Sequence, residues 1–245
     1  MLAIIGGSGL YNYKNLIVLE EISLKTKWGE PSAPIRKGHL GDTNVLFLCR
    51  HGPKHTIPPH KINYRANIEA LMTLGAQTIV STTAVGGIKA KTGDIVIPDQ
   101  IIDYTYGRNN TFFDSKQGPV NHIDFTEPYS PKVRQTILHA ANSINMSVID
   151  GGIYAATQGP RLETAAEINR LSQDGCKIVG MTGMPETALA RELDLEYATI
   201  SLVVNQAAGI GKGQITMEQI TTELKTGMNK VEKIIETLPS LLANQ

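Results

Sequence analysis

Two apolar runs set close together constrain this chain most: residues 178–186, read Ile-Val-Gly-Met-Thr-Gly-Met-Pro-Glu, and residues 197–205, read Tyr-Ala-Thr-Ile-Ser-Leu-Val-Val-Asn. Each reads as a buried strand that ends in small, polar or sulfur-bearing residues, with a helix between them over roughly 185–193. In an α/β sheet, ligands gather at the carboxyl ends of strands, so Met181, Thr182 and Asn205 are candidates to face one pocket. Asn205 carries a donor beside an acceptor and can pair with a ligand edge that presents one of each.

The same signature recurs along the chain. Residues 2–5 read as a short buried strand that breaks at Gly6-Gly7-Ser8-Gly9. Such a turn can bring backbone N–H groups and the Ser8 hydroxyl against an anion. A plain turn is the competing reading. A dinucleotide fingerprint is not formed, because Asn12 stands where the third glycine belongs and no helix pattern follows. Residues 45–49 form another apolar run that ends in Arg50-His51-Gly52. A guanidinium there offers a planar fork matched to phosphate or carboxylate, with a surface Arg-His pair as the alternative. A third strand begins at Ile79 and runs into Ser81-Thr82-Thr83-Ala84-Val85-Gly86-Gly87. Together, strand ends at Ser8, Arg50-His51, Thr83-Ala84 and Thr182 could form an anion site without a metal.

Composition leaves room for such a site and little for other classes. With 245 residues the chain can bury a self-sufficient core as one domain. The 23 basic and 23 acidic residues cancel. Neither a nucleic-acid nor an anionic-membrane surface is suggested, and a bound anion must be held locally. Cys49 and Cys176 have no metal-ligand spacing, which fits a reduced, cytoplasmic protein without a disulfide scaffold. No apolar run is long enough to span a bilayer, and no export signal is expected.

The remaining segments are read from their periodicity. Residues 63–74 and 131–142 carry helical spacing, and Gly75 lies where the first of these would stop. A strand region is expected over 95–102, followed by a long irregular stretch over 104–127 of the kind that serves function or a partner. His122 is the residue to watch there, against the reading of an ordinary loop histidine. His55 and His60, in a proline-rich loop, are read as loop residues rather than ligands. Residues 153–156 form a strand ahead of Thr157-Gln158-Gly159-Pro160-Arg161-Leu162-Glu163. Glu163 is either a helix-start carboxylate or an acceptor for a ligand. After a loose loop over 206–214, Thr216 is a plausible N-cap for a last helix with Ile220, Leu224, Met228, Val231 and Ile235 as its apolar stripe.

With these residues assembled, the chain resembles the trimeric purine nucleoside phosphorylase and methylthioadenosine phosphorylase family over essentially its full length. The matches are Ile5-Gly6-Gly7-Ser8-Gly9-Leu10, Arg50-His51-Gly52, Asn63-Tyr64-Arg65-Ala66-Asn67, Thr83-Ala84-Val85-Gly86-Gly87, Gln158-Gly159-Pro160-Arg161 and Gly180-Met181-Thr182-Gly183-Met184-Pro185-Glu186. The resemblance implies a single α/β domain on a mixed, twisted, barrel-like β-sheet flanked by helices, assembled as a homotrimer. It also implies metal-free and cofactor-free phosphorolysis of an N-glycosidic bond, with inorganic phosphate as co-substrate. Ser8, Arg50, His51, Thr83, Ala84 and Thr182 would hold phosphate, and Asn205 and His51 would serve catalysis. Met181 would pack on the ribose. His122 of a neighbouring subunit would approach the 5′ end.

Specificity is expected from four positions. Adenine-specific relatives carry aspartates where this chain has Asn205 and Ala207. Asn205 can donate to a 6-oxygen while its carbonyl accepts a proton at ring nitrogen 7, and Glu163 matches a glutamate that takes the N1–H of 6-oxopurines. Met217 falls where ordinary purine nucleoside phosphorylases carry a histidine for the 5′-hydroxyl; its thioether suits a methylthio group instead, unless it is a core residue of the last helix. The combination is similar to family members acting on 5′-methylthioinosine. An inosine and guanosine phosphorylase, a methylthioadenosine phosphorylase and a non-enzymatic nucleoside- or dinucleotide-binding protein are the alternatives.

Overall fold

Residues 1–11, 13–114, 120–211 and 213–243 are described by a computed structural model of the protein. Asn12, residues 115–119 of the irregular stretch and Lys212 of the loose loop lie outside the described residues. In chain order the elements are β1 (Leu2–Gly6), β2 (Ile17–Ile22), β3 (Ile35–Leu40), β4 (Thr43–Cys49), α1 (Tyr64–Thr73), β5 (Thr78–Gly87), β6 (Ile95–Ile97) and β7 (Gln100–Asp103). They continue with α2 (Pro131–Ser143), β8 (Ile149–Asp150), β9 (Ile153–Ala156), α3 (Ala165–Gln173), β10 (Cys176–Gly180), α4 (Gly183–Glu192), β11 (Glu196–Gln206) and α5 (Met217–Ala243).

The strands legible as unbroken apolar runs are those covered on both faces. All of β1 is buried, and so are eight consecutive residues of β11. Helix starts follow side-chain chemistry. Asn63 accepts from the Ala66 N–H to cap α1, Ser130 caps α2 ahead of Pro131, and Thr164 with Glu167 forms a capping box on α3. The strand region expected over 95–102 divides into β6 and β7 at Pro98, which has no N–H to give a ladder.

β5 is the hinge of the sheet. One edge pairs in parallel with β11 over its whole length, while the other pairs with β1 through Ser81 and then, antiparallel, with β10 from Gly86. The main path runs β2-β3-β4-β1-β5-β10-β9-β7, with β11, β6 and β8 on a branch. The sheet is mixed, as expected, and it is not closed into a barrel: the path ends at β2 and β7. Helices α2, α4 and α5 pack on β11, α3 on β10 and α1 on α4, giving one α/β domain. No described helix is long and apolar enough to cross a membrane.

Candidate active site

The site grows from the fork in the sheet. Because β1 leaves the edge of β5 after Ser81 and β10 joins it only at Gly86, the edge over residues 82–85 has no strand partner. Divergence of strands at a switch point opens a crevice. Thr83 and Ala84 were expected at a strand end; they lie inside β5, and the gap between its neighbours brings them to the crevice. The turn after β1 closes one side, where the Gly7 N–H donates to the Thr82 hydroxyl at 3.0 Å. A Cβ on Gly7 would stand 2.3 Å from the Thr82 carbonyl oxygen and 2.8 Å from Arg50 Nη1, so only glycine fits there.

The resulting cavity has a volume of about 500 Å³. Of the residues singled out in the sequence, Ser8, Arg50, His51, Thr83, Ala84, Glu163, Met181, Thr182, Asn205 and Met217 all line it. His122 does not line it and is exposed to solvent.

Arg50 is built in rather than poised at the surface. Its Nε donates to Glu186 at 2.6 Å, Nη2 donates to the other Glu186 oxygen at 2.8 Å and to the Ser81 hydroxyl, and Nη1 donates to the Thr82 carbonyl at 3.0 Å. These bonds use four of the five N–H groups of a guanidinium and leave one on Nη1 among the described residues. Burial opposes the Arg50 charge, but the Glu186 carboxylate more than offsets this and raises its pKa. Tyr197 donates a further hydrogen bond to Glu186 at 2.7 Å. His51 is pushed down to about 4, first by burial and then by the Arg50 charge. It is therefore neutral near pH 7. Its Nδ1 lies 2.9 Å from the Ile57 carbonyl oxygen, which can only accept, so Nδ1 carries the hydrogen and Nε2 keeps its lone pair. The Thr182 hydroxyl is at the start of α4 but makes no cap hydrogen bond there. Thr83 shares a 2.9 Å hydrogen bond with Ser201. This corner offers hydroxyls, turn N–H groups and one remaining guanidinium N–H.

A register shift between Val203 and Asn205 marks a bulge in β11, a device that re-aims the following side chain. The Asn205 amide donates to the Gln206 carbonyl at 2.8 Å, which fixes its orientation and leaves its second N–H and its carbonyl. Glu163 is not the helix-start carboxylate, a role Glu167 fills in the capping box. Instead one Glu163 oxygen accepts from the Thr157 hydroxyl at 2.6 Å. Met217 opens α5; it is 71% exposed, which excludes the core reading. Ile220 and Leu224 line the same cavity.

Sequence reasoning missed several lining residues. His55 was read as an ordinary loop residue, yet it lines the cavity with its ring centroid 4.5 Å from that of His51. Tyr11, Pro58 and Pro59 join it from loops whose irregular backbone gives no periodic signal. The role of Glu186 was also hidden, since its partner lies 136 residues away.

Comparison with known proteins agrees with this architecture. The sequence profile of the phosphorylase superfamily matches residues 1–239. The chain is 48% identical over 237 residues to the "Probable S-methyl-5′-thioinosine phosphorylase" of Xylella fastidiosa, covering 96% of each. It is 45% identical over 241 residues to the 6-oxopurine nucleoside phosphorylase of Pyrococcus furiosus, covering 96% of this chain and 90% of that one. Among solved structures, methylthioadenosine phosphorylase from Schistosoma mansoni in complex with adenine superposes with a TM-score of 0.95 at 30% identity, covering 100% of this chain and 92% of that one. A split parallel edge holding hydroxyls, a buried Arg-Glu pair and an oriented amide, matched from end to end by this profile, places the chain in the phosphorylase superfamily.

Proposed function

We propose that this protein cleaves a 6-oxopurine nucleoside with phosphate, and that its preferred reaction converts 5′-methylthioinosine and phosphate to hypoxanthine and 5-methylthioribose 1-phosphate. The observation that carries this reading is the lining of one cavity. It brings together Asn205 and Glu163, the apolar side chains of Met217, Ile220 and Leu224, and the hydroxyls of Ser8, Thr83 and Thr182. The names of the Xylella fastidiosa and Pyrococcus furiosus relatives support the 6-oxopurine half of it.

Phosphate, held beneath the sugar by Ser8, Thr83, Ala84, Thr182 and the free N–H of Arg50, attacks the anomeric carbon while the bond to the purine nitrogen breaks. A neutral His51 accepts from a protonated phosphate oxygen through Nε2. The electron pair of the broken bond goes to the purine. Asn205 stabilises it by donating its second N–H to the 6-oxygen; as the purine leaves, nitrogen 7 takes a proton from solvent and the Asn205 carbonyl accepts a hydrogen bond from that N–H, while the free Glu163 oxygen accepts from the N1–H. Met181 packs against the ribose. No cofactor enters this scheme beyond phosphate as co-substrate. His122, exposed and away from its own cavity, reaches the 5′ end of a neighbouring site in a homotrimer. Two buried free thiols, Cys49 and Cys176, fit a cytoplasmic setting.

A second reading, a general inosine and guanosine phosphorylase, is favoured by the name of the Pyrococcus furiosus relative and differs mainly at Met217. The test is product analysis after incubation with methylthioinosine. Hypoxanthine and a sugar 1-phosphate formed only when phosphate is present are expected; free methylthioribose, or cleavage without phosphate, overturns the reaction type.

A further inference from the structure

The irregular stretch after β7 carries one arginine that the scheme above does not use. Arg108 sits outside the cavity but gathers the backbone around it. Its Nη1 donates to the carbonyls of Met181 at 2.8 Å and Met184 at 2.6 Å. Its Nη2 donates to the carbonyls of Gln158 at 2.8 Å and Thr157 at 3.2 Å, and its Nε to the Gln158 side chain at 3.1 Å. The guanidinium also lies 5.8 Å from the Tyr64 ring centroid.

These carbonyls have a common origin. Thr157 and Gln158 follow β9, Met181 follows β10, and Met184 lies in the non-helical opening of α4. Where strands stop, carbonyls lose their ladder partners and need others when sheltered from water. One planar group with fanned donors can serve three carbonyls from two strand ends and a fourth from the start of α4; an ammonium, with three donors on one point, cannot match that span. Both strand ends carry site residues. Thr157 holds Glu163 through its hydroxyl, and Met181 and Thr182 line the cavity.

We infer that Arg108 is a positioning residue for this site: it clamps the ends of β9 and β10 so that the base acceptor Glu163 and the phosphate and sugar contacts Thr182 and Met181 keep a fixed separation. The segment that carries it is itself anchored further along, where the Glu192 carboxylate accepts from the Thr111 hydroxyl at 2.6 Å and the Phe112 N–H at 2.7 Å. Residues 108–112 thus tie the ends of β9 and β10 to α4. This inference rests on the proposed function only for its kinetic consequence.

The test compares Arg108→Gln and Arg108→Lys with Arg134→Gln, a control whose guanidinium also bonds backbone carbonyls, those of Ile97 and Pro98, in a segment that does not line the cavity. At saturating phosphate, Arg108→Gln is expected to lower kcat/KM for the nucleoside about 100-fold, the usual scale for a displacement near 1 Å, with Arg108→Lys about tenfold down. Arg134→Gln is expected to lower thermal stability yet keep kcat/KM. In parallel, amide hydrogen exchange over 157–160 and 180–185 in Arg108→Gln is expected to accelerate about tenfold or more relative to wild type. Unchanged exchange in those segments, or equal activity loss in Arg134→Gln, overturns the clamp. Should the wild type cleave no nucleoside, the functional proposal fails by itself, and the exchange comparison still decides the role of Arg108.

Discussion

The floor of the cavity and its rim are built by opposite means. In the floor, Arg50 is 1% exposed and Glu186 0%, and each is held by several partners drawn from β5, β11 and α4. At the rim, Met217 is 71% exposed, and Leu162 is also open to solvent. In the proposed reaction the floor would meet an anion that is the same for every nucleoside, which suits a preorganised site where water cannot compete. The rim would meet the parts of the substrate that vary, and it is made from loops and a helix start that can change without disturbing the sheet.

The largest effect is expected from breaking the floor. Glu186→Ala leaves Arg50 charged, buried and unpaired, and should cost about 3–5 kcal/mol in urea unfolding, with Glu186→Gln milder because the amide still bonds. Unchanged stability would mean that the pair is not the keystone of the floor. His51 gives the next effect. It is neutral in the folded state down to about pH 4, whereas in the unfolded chain it titrates near 6.5. The unfolded chain binds the extra proton between those values, so the contribution of His51 is complete above pH 6.5 and is lost as pH falls toward 4. The loss is about 3 kcal/mol at full size, and His51→Gln should flatten that part of the stability profile. An unaltered profile would contradict the buried neutral imidazole.

At the base end, Asn205→Ala should lower kcat about 100-fold while changing the KM for phosphate little, because it acts on the leaving group and not on the anion. Equal loss in both would place Asn205 in the floor. The smallest effect sharpens the contrast: Met217→His should shift the ratio of kcat/KM for methylthioinosine over inosine about tenfold toward inosine, with stability unchanged. A loss of stability instead would mean that Met217 belongs to the packing of α5.

What could be read from the sequence follows the same division. β1, β4, β5, β10 and β11 were legible because burial on both faces leaves unbroken apolar runs, and their polar endings announced Ser8, Arg50, Thr182 and Asn205. The hairpin of β2 and β3 was not. Ile17, Val18 and Leu19 lie consecutively and exposed on an edge, and β3 mixes Arg36, Lys37 and His39 into its length, so neither alternates. Thr83 and Ala84 were legible as residues but not as mid-strand positions, since only the departure of β1 and the arrival of β10 define the gap. The Arg50–Glu186 pair and the Arg108 clamp depend on contacts across the fold, which no local spacing encodes.

The most direct measurement is a competition in one vessel: equal amounts of methylthioinosine, inosine and methylthioadenosine with excess phosphate, each nucleoside followed as it disappears. Relative rates of loss then give relative kcat/KM. Methylthioinosine consumed first, inosine after it and methylthioadenosine last is the expected order. Methylthioadenosine consumed first would contradict the reading of Asn205 and Glu163 as a 6-oxopurine pair.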